Sequence, residues 1–519
     1  MGLSRCHKIS LPLFWLVLTA LYCGVYTVAE FAVTPVNGLR SFAVYAAQWL
    51  TVTVLASAVL QIISLSRWVF TVLFTPLCLV STASVYYFVT IGSGLSATAI
   101  EIAAVNDAAM WMTIITPTLL WLLAATGFVA AGLTFVRWRY VTPPGHKLTV
   151  ALCAADIVVM MIPLHTSERL RRSVGGRLPY VIYCATDEYF SNRSAVKEVR
   201  DTYAATPAVA DTTAVDVIFV IGEALRADHL PLNGYGRNTL PRLSQETNLV
   251  SFDSLYSDHT HTYAALPALM TRDDPDRPDA RYDDQSFITL FRKAGYRSAW
   301  IANQDLGPSY IYFAHETDSI IPVNATRSLN SFTPWRDSDM LPHIERLLTD
   351  SGTPSYATLV VAHSIGSHWW YGSHYGERDD LFRPDADSRE ISALSHEQLI
   401  NSYDNTILAT DDFLADIIDL LRDRRAIMIY YSDHGESLGE NGRYLHGAEN
   451  APLHHPAAMI WWSDEYEKTY PARVEAMRAN RHRRAKTTSA FHTVLDAAGI
   501  DSPVLDREAS LVSHGYRRP

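Results

Sequence analysis

Val215 to Leu243 reads VDVIFVIGEALRADHLPLNGYGRNTLPRL, and the reading of this stretch decides the fold. Near its start, Val217 to Ile221 is an unbroken apolar run, too short for a helix and rich in β-branched residues. It predicts a buried strand of a parallel sheet. The run ends in Gly222-Glu223, which delivers a carboxylate at the strand's C-terminal end. In open α/β sheets that edge is where ligands and metals bind. Alone, Glu223 could be an ordinary acidic residue in a βα loop.

Three stretches downstream argue otherwise. SDHTHTYAALPALMT (Ser257 to Thr271) packs hydroxyls and imidazoles just before a small-residue helical pattern. SYATLVVAHSIGSH (Ser355 to His368) is another apolar strand that runs into His363 and His368. AIMIYYSDHGESLGENGRYLH (Ala426 to His446) is a strand ending in Asp433-His434, with His446 after a glycine-containing loop. Glu, Thr, Asp and His at separate strand ends suit a borderline metal such as zinc, which accepts N and O ligands and leaves room for substrate.

At these residues the chain resembles a known family, the membrane-bound phosphoethanolamine transferases of Gram-negative envelopes, within the alkaline phosphatase and sulfatase superfamily. The match is carried by GE…RADH…LNGYGRNTLPRL, the Thr-x-Thr before AALPALMT, INSYDNTILATDDFL (Ile400 to Leu414) and SDHGESLGENGRYLHG. The resemblance implies an α/β fold class: an N-terminal bundle of five transmembrane helices followed by a periplasmic α/β/α sulfatase-like domain. It also implies Thr262, the second Thr of Thr-x-Thr, as nucleophile, with Glu223, Thr262, Asp433 and His434 as metal ligands. His368 and His446 would meet the phosphoryl group or a second metal, and His363 would support them. One or two zinc ions are expected. Zinc can activate the Thr hydroxyl as it activates water. His363, His259 and His261 could equally be structural histidines.

The implied reaction is a double displacement, in which covalent catalysis splits one transfer into two steps. Thr262 takes phosphoethanolamine from phosphatidylethanolamine and passes it to a lipopolysaccharide glycolipid, on a core sugar or on lipid A. Trp369, Trp370 and Tyr371 could pack against ethanolamine by cation–π contact; a plain aromatic core is the alternative. A sulfatase would need Cys or Ser in C/S-x-P-x-R, whereas the chain reads HTYAALP around Thr262. A phosphoglycerol transferase of the lipoteichoic acid synthase type is the nearest enzyme rival, disfavoured by GRNTLPRL and SDHGESLGENG. An inactive membrane scaffold would show a lost metal ligand, and none is lost.

Outward from these motifs, the 519 residues suit more than one domain, divided here as 1–165 (membrane), 166–213 (linker) and 214–519 (catalytic). Hydrophobic residues make up 48% and charged residues only 19%, which points to membrane segments. A net charge of −11, with no basic cluster interleaved with aromatics, argues against nucleic acid as a partner. The segment Arg473 to Lys486 is Arg-rich and reads as a solvated face.

Five apolar stretches fall within the first 165 residues: Ile9–Ala29, Ser41–Ser66, Trp68–Ile100, Ala108–Val136 and Leu148–Leu164. The first four carry no charge and reach the roughly 20 residues a bilayer span needs; the fifth is shorter and holds Asp156. Such a residue is either functional or paired within the bundle. Arg5, Lys8, Arg67, Arg137, Arg139 and Lys147 group on one side, which is therefore cytoplasmic. An odd number of spans then puts the catalytic domain in the periplasm of a multi-pass inner-membrane protein, although Arg169, Arg171, Arg172 and Arg177 run against the rule. A periplasmic helix within Ser93 to Met112 (Glu101, Asn106, Asp107) is expected by resemblance to help hold the lipid donor.

Cysteine usage bears on the acceptor. Cys6, Cys23, Cys78 and Cys153 lie in or beside the spans, and Cys184 is alone in the exported part, so no disulfide forms within it. Lipid A-modifying members of the resembled family are disulfide-rich around the nucleophile. Here Asp258 and Ala268 stand where a bridging pair is common, which favours a core sugar as acceptor.

Overall fold

The computed structural model describes residues 8–29, 39–91, 95–96, 100, 115–142, 145–166, 174–195, 200–211, 213–272, 284–304, 311–323, 334–349, 357–388, 391–446 and 449–517. The chain divides into two compact units. One comprises Met1–Ala104 with Ile114–Asn192; the other comprises Val105–Thr113 with Arg193–Pro519.

In the first unit each of the five apolar stretches contains a helix. They are α1 (Leu11–Tyr22, continued by a π turn over Cys23–Thr27), α2 (Leu39–Leu65), α3 (Arg67–Ile91), α4 (Pro117–Arg139) and α5 (His146–Thr166). Among the described residues, Tyr45–Leu65, Arg67–Thr90 and Pro117–Arg139 are long and apolar enough to cross a membrane; Leu11–Thr27 is apolar but shorter. The chain is thus a membrane protein. The fourth helix starts later than hydropathy suggests because Thr116 caps it, accepting from Leu119 N, and Pro117 occupies the first turn, where its missing N–H costs nothing. Glu101, Asn106 and Asp107 of the expected donor-binding segment lie outside the described residues.

Polar groups inside the bundle pair across helices, as apolar surroundings require. Tyr22 meets Ser81 at 2.6 Å, Tyr26 meets Thr82 at 2.9 Å, and Thr82 meets Thr126 at 2.9 Å. Buried Arg137 donates to the carbonyls of Ser64 (2.8 Å) and Leu65 (3.1 Å), capping the negative end of α2. Ile9 bridges to Val141, and the Arg67 guanidinium lies 4.4 Å from the ring centre of Trp138. Lys8, Arg67, Arg137 and Arg139 therefore sit at one end of the bundle, as their grouping by loop charge requires. Asp156 is buried, with the Gln61 amide nitrogen turned to its carboxylate at 2.8 and 3.0 Å; it is paired within the bundle.

Helix α6 (Tyr180–Ala195) follows, and Val209–Ala210 then pairs antiparallel with Ile500–Asp501. The second unit is built on a seven-stranded sheet: β1 (Asp216–Gly222), β2 (Leu249–Phe252), β3 (Arg297–Ala302), β4 (Ser319–Pro322), β5 (Thr358–His363), β6 (Ala426–Ser432) and β7 (Ala458–Trp462), in the order β2-β7-β6-β1-β5-β3-β4. β4, β3, β5, β1 and β6 are parallel; β7 pairs antiparallel with β6, and β2 antiparallel with β7. β5 and β6 are buried throughout and β1 all but its first residue, which is why they read as continuous apolar runs rather than alternating ones. On one face, Phe219, Ile221, Ile429 and Tyr431 join a core with helices α7 (Thr262–Met270), α8 (Phe287–Lys293) and, beyond α9 (His396–Leu421), α10 (Ser489–Ala497). The other face is covered by α9, started by a capping box in which Ser395 and Gln398 satisfy each other's backbone N–H.

The register sets Gly222 beside Ser432 and Ile221 beside His363. The C-terminal ends of the three central strands, β6, β1 and β5, therefore lie side by side, and their last residues meet at one edge.

Candidate active site

Glu223 follows β1 into a loop that the structure holds at many points. Ala224 has φ of 56°, a left-handed conformation costly for a residue with a Cβ. Its N–H donates to Asp433 Oδ1 (3.2 Å), Leu225 N donates to Ser432 Oγ (2.8 Å), and Arg226 N donates to Tyr403 Oη (2.9 Å). Tyr403 donates in turn to the Ala224 carbonyl at 2.7 Å. Gly222 makes room for a neighbour, because a Cβ there would come within 2.0 Å of the Tyr430 hydroxyl and force that ring to shift.

The segment from Ser257 to Met270 reaches the same edge. Ser257 Oγ donates to the Asp433 carbonyl at 3.1 Å, and His261 turns the chain into α7 with Thr262 as its first residue. The Thr262 hydroxyl donates to Glu223 Oε2 at 2.9 Å. Thr262 thus sits at the positive end of a helix dipole, which favours negative charge at its oxygen.

Asp433 and His434 arrive from β6. Asp433 Oδ1 also accepts from His434 N at 2.8 Å. His434 Nδ1 donates to the Gly435 carbonyl at 2.7 Å, which leaves Nε2 facing Glu223 Oε1 (3.3 Å) and Asp433 Oδ2 (3.5 Å). Those three atoms are buried and make no hydrogen bond. One ligand atom each of Glu223, His434 and His446 falls within 4.8 Å of the others. Two buried carboxylates converging on an imidazole nitrogen whose other nitrogen is already satisfied form a donor set suited to a divalent cation.

The electrostatics follow from burial and mutual charge. Burial opposes ionisation of Glu223, but the charge and contact of His434 hold its carboxyl well below the usual range. Burial, with the Glu223 charge, pushes Asp433 up to about 6. Burial works against charging His434, yet Asp433 and Glu223 raise it to about 10. The pocket's field is negative and selects a positive charge at this point.

His368 lies on the loop after β5, its ring centre 5.7 Å from that of His446, which is 4.7 Å from that of His434. His446 Nδ1 lies 3.4 Å from Glu436 Oε2, to which Tyr371 also donates at 3.2 Å. His363 ends β5, packs edge-on against Trp300 and is lowered to about 4 by burial. His261 is lowered to about 3, by burial and then by the charge of His434. Trp369 is buried and stands edge-on to both Trp370 and Tyr371.

Several residues at this edge escaped sequence reasoning. Gln304, after β3, donates to Glu223 Oε2 at 3.0 Å. Buried Asp337 accepts from Ile365 N and Gly366 N (2.7 and 2.9 Å), holding a turn where a Cβ on Gly366 would press on Glu223. Neither lies in a recognisable motif. Other motif residues turn out to be scaffold. Asp404, on α9, accepts from His229, Tyr235 and Arg237 at 2.8 to 2.9 Å, and Asp411 accepts from the N–H groups of Arg242 and Leu243 at 2.8 Å. INSYDN…TDD therefore anchors RADH…GYGRN…RL, the loop that carries Glu223.

A parallel-centred α/β sheet with a carboxylate, hydroxyl and imidazole cluster at its C-terminal edge is the arrangement of an enzyme site, with donors suited to a metal ion. Residues 216–500, more than half of the chain, match the Sulfatase family, and the chain belongs to that family. It is 37% identical over 250 residues, 45% of each chain, to the phosphatidylethanolamine transferase Mcr-2 of Escherichia coli. The chain thus spans about half the length of this and similar curated relatives. Its fold matches the integral membrane lipooligosaccharide phosphoethanolamine transferase A (EptA) of Neisseria meningitidis with a TM-score of 0.80 at 21% identity, covering 98% of this chain and 99% of that one. It also matches the C-terminal periplasmic domain of EptC from E. coli, in complex with Zn, with a TM-score of 0.53 at 21% identity, covering 60% of this chain and 91% of that one.

Proposed function

We propose that this protein transfers phosphoethanolamine from phosphatidylethanolamine to a lipopolysaccharide glycolipid through a covalent phospho-threonine at Thr262. The observation that carries this reading is the Thr262 hydroxyl, at a helix N-terminus and donating to buried Glu223 beside Asp433 and His434. The name of Mcr-2 supports the donor, that of EptA a glycolipid acceptor, and the Zn complex of EptC the metal.

In the first step Thr262 Oγ bonds to phosphorus, and its proton passes to Glu223 Oε2, the atom it already faces. The bond from phosphorus to the glycerol oxygen breaks, and diacylglycerol leaves with the proton that Glu223 has received. In the second step the acceptor gives its proton to Glu223 as its oxygen attacks phosphorus, and Thr262 departs with that proton as its hydroxyl. Glu223, Thr262, Asp433 and His434 would hold zinc, one ion or two, whose charge would lower the pKa of the threonine hydroxyl. His368 and His446 would meet the phosphoryl oxygens or a second ion, and His363 would support them.

The finer organisation belongs to the same proposal. In it the chain crosses a bacterial inner membrane five times, with a membrane domain over 1–165, a linker over 166–213 and a periplasmic catalytic domain over 214–519. A reporter fused after Leu164 is expected to read periplasmic; a cytoplasmic signal would overturn this topology.

The acceptor is a core sugar rather than a lipid A phosphate, because 214–519 contains no cysteine and so no disulfide frame around the nucleophile. Mass spectrometry of envelope glycolipids with and without this gene tests the proposal. The gene should add a phosphoethanolamine mass to the core oligosaccharide. Modification confined to lipid A phosphates would reverse the acceptor assignment, and no modified glycolipid at all would sink the function.

A further inference from the structure

We propose that Gln304 is a positioning residue for the metal centre, clamping Glu223 so that one carboxylate oxygen serves Thr262 and the other faces the metal ligands. The inference rests on the reading of Glu223 as a ligand. Glu223 Oε2 accepts two hydrogen bonds, from Thr262 Oγ1 at 2.9 Å and from Gln304 Nε2 at 3.0 Å. The same Gln304 nitrogen donates to the Ser364 carbonyl at 2.7 Å, so both of its hydrogens are engaged and the amide cannot turn. Ser364 is itself tied to β1, since its N–H and its hydroxyl both reach the Ile221 carbonyl, at 3.0 and 2.8 Å. Gln304 is buried, and it staples the end of β1 to the end of β5.

The consequence lies in the other oxygen. With Oε2 saturated, Oε1 makes no hydrogen bond and is directed at His434 Nε2, 3.3 Å away. A carboxylate's terminal torsion is broad, so without a clamp the plane of the group would turn, and its oxygens would no longer be held toward Thr262 and His434 at once. Glutamine suits this position. A lysine or arginine would neutralise the carboxylate and weaken it as a ligand, whereas an amide N–H orients it and leaves its charge intact.

The test uses the full-length chain in detergent and reads zinc affinity by chelator competition, alongside kcat and KM for phosphatidylethanolamine. Gln304→Met keeps the length and removes the donor. It should weaken zinc by about 10- to 100-fold, the usual cost of losing a partner behind a ligand. At saturating zinc, kcat should fall while KM for the donor stays put, a split that a general loss of packing would not produce. Zinc affinity within twofold of wild type would overturn the proposal. Should Gln304→Met melt below assay temperature, Gln304→Asn decides, because it keeps the amide but cannot span both partners; loss of affinity supports the clamp and wild-type affinity refutes it. Glu223→Ala separates the two levels. If it keeps zinc, the reading of the site fails; if it loses zinc while Gln304→Met does not, only the clamp fails.

Discussion

Thr262→Ala is expected to abolish transfer, lowering the rate by at least about a thousandfold, because it removes the atom that bonds to phosphorus. The fold should survive. One hydroxyl and one methyl are lost, with the hydrogen bond to Glu223 at about 1.5–3 kcal/mol for a charged acceptor, and alanine partly offsets this by its higher helix propensity. The melting temperature should therefore move by only a few degrees. Wild type incubated with phosphatidylethanolamine and no acceptor should gain a phosphoethanolamine mass on the peptide containing Thr262. Thr260→Ala is the control and should keep its activity. Full activity in Thr262→Ala, or the adduct on Thr260, would show the nucleophile to be elsewhere.

The second large effect is on the metal. Purified wild type should carry zinc, and Asp433→Ala should lose most of it, with affinity falling by more than the ~10–100-fold that removal of a partner behind the ligands costs. Alanine also strands two buried N–H groups, of Ala224 and His434, at roughly 1–3 kcal/mol each. Asp433→Asn separates the effects, since its side-chain oxygen still accepts from both while the charge is gone. Zinc content measured on both variants should fall together. Full retention of zinc in Asp433→Asn would remove Asp433 from the ligand set, whatever happens to stability.

The central strands were legible in the sequence because each is buried on both faces and must be apolar without interruption. The apolar strands expected at Val217–Ile221, within Ser355–His368 and from Ala426 toward Asp433-His434 are β1, β5 and β6. The edge strands Leu249–Phe252 and Ser319–Pro322 were not legible, being four residues long and without alternation. The antiparallel turn of β7 was equally hidden, since direction depends on what the chain does between strands. In the membrane unit, hydropathy marked each helix, but Thr116-Pro117 rather than hydropathy decided where α4 begins.

By itself, then, the sequence determined the apolar stretches, the α/β alternation and the strand ends that carry Glu223, His363 and Asp433-His434. These are properties of local composition and period. Only the tertiary structure decided which ends become neighbours, because adjacency of β6, β1 and β5 comes from strand order and register rather than from any one segment. It also separated Thr260 from Thr262: in an extended chain they share a face, but a helix begins at Thr262 and turns that hydroxyl onto Glu223. The roles of Gln304, Asp337 and Tyr403 belong to the same level. Their partners lie 28 to 179 residues away in the chain, and no spacing rule connects groups that meet only when the sheet is assembled.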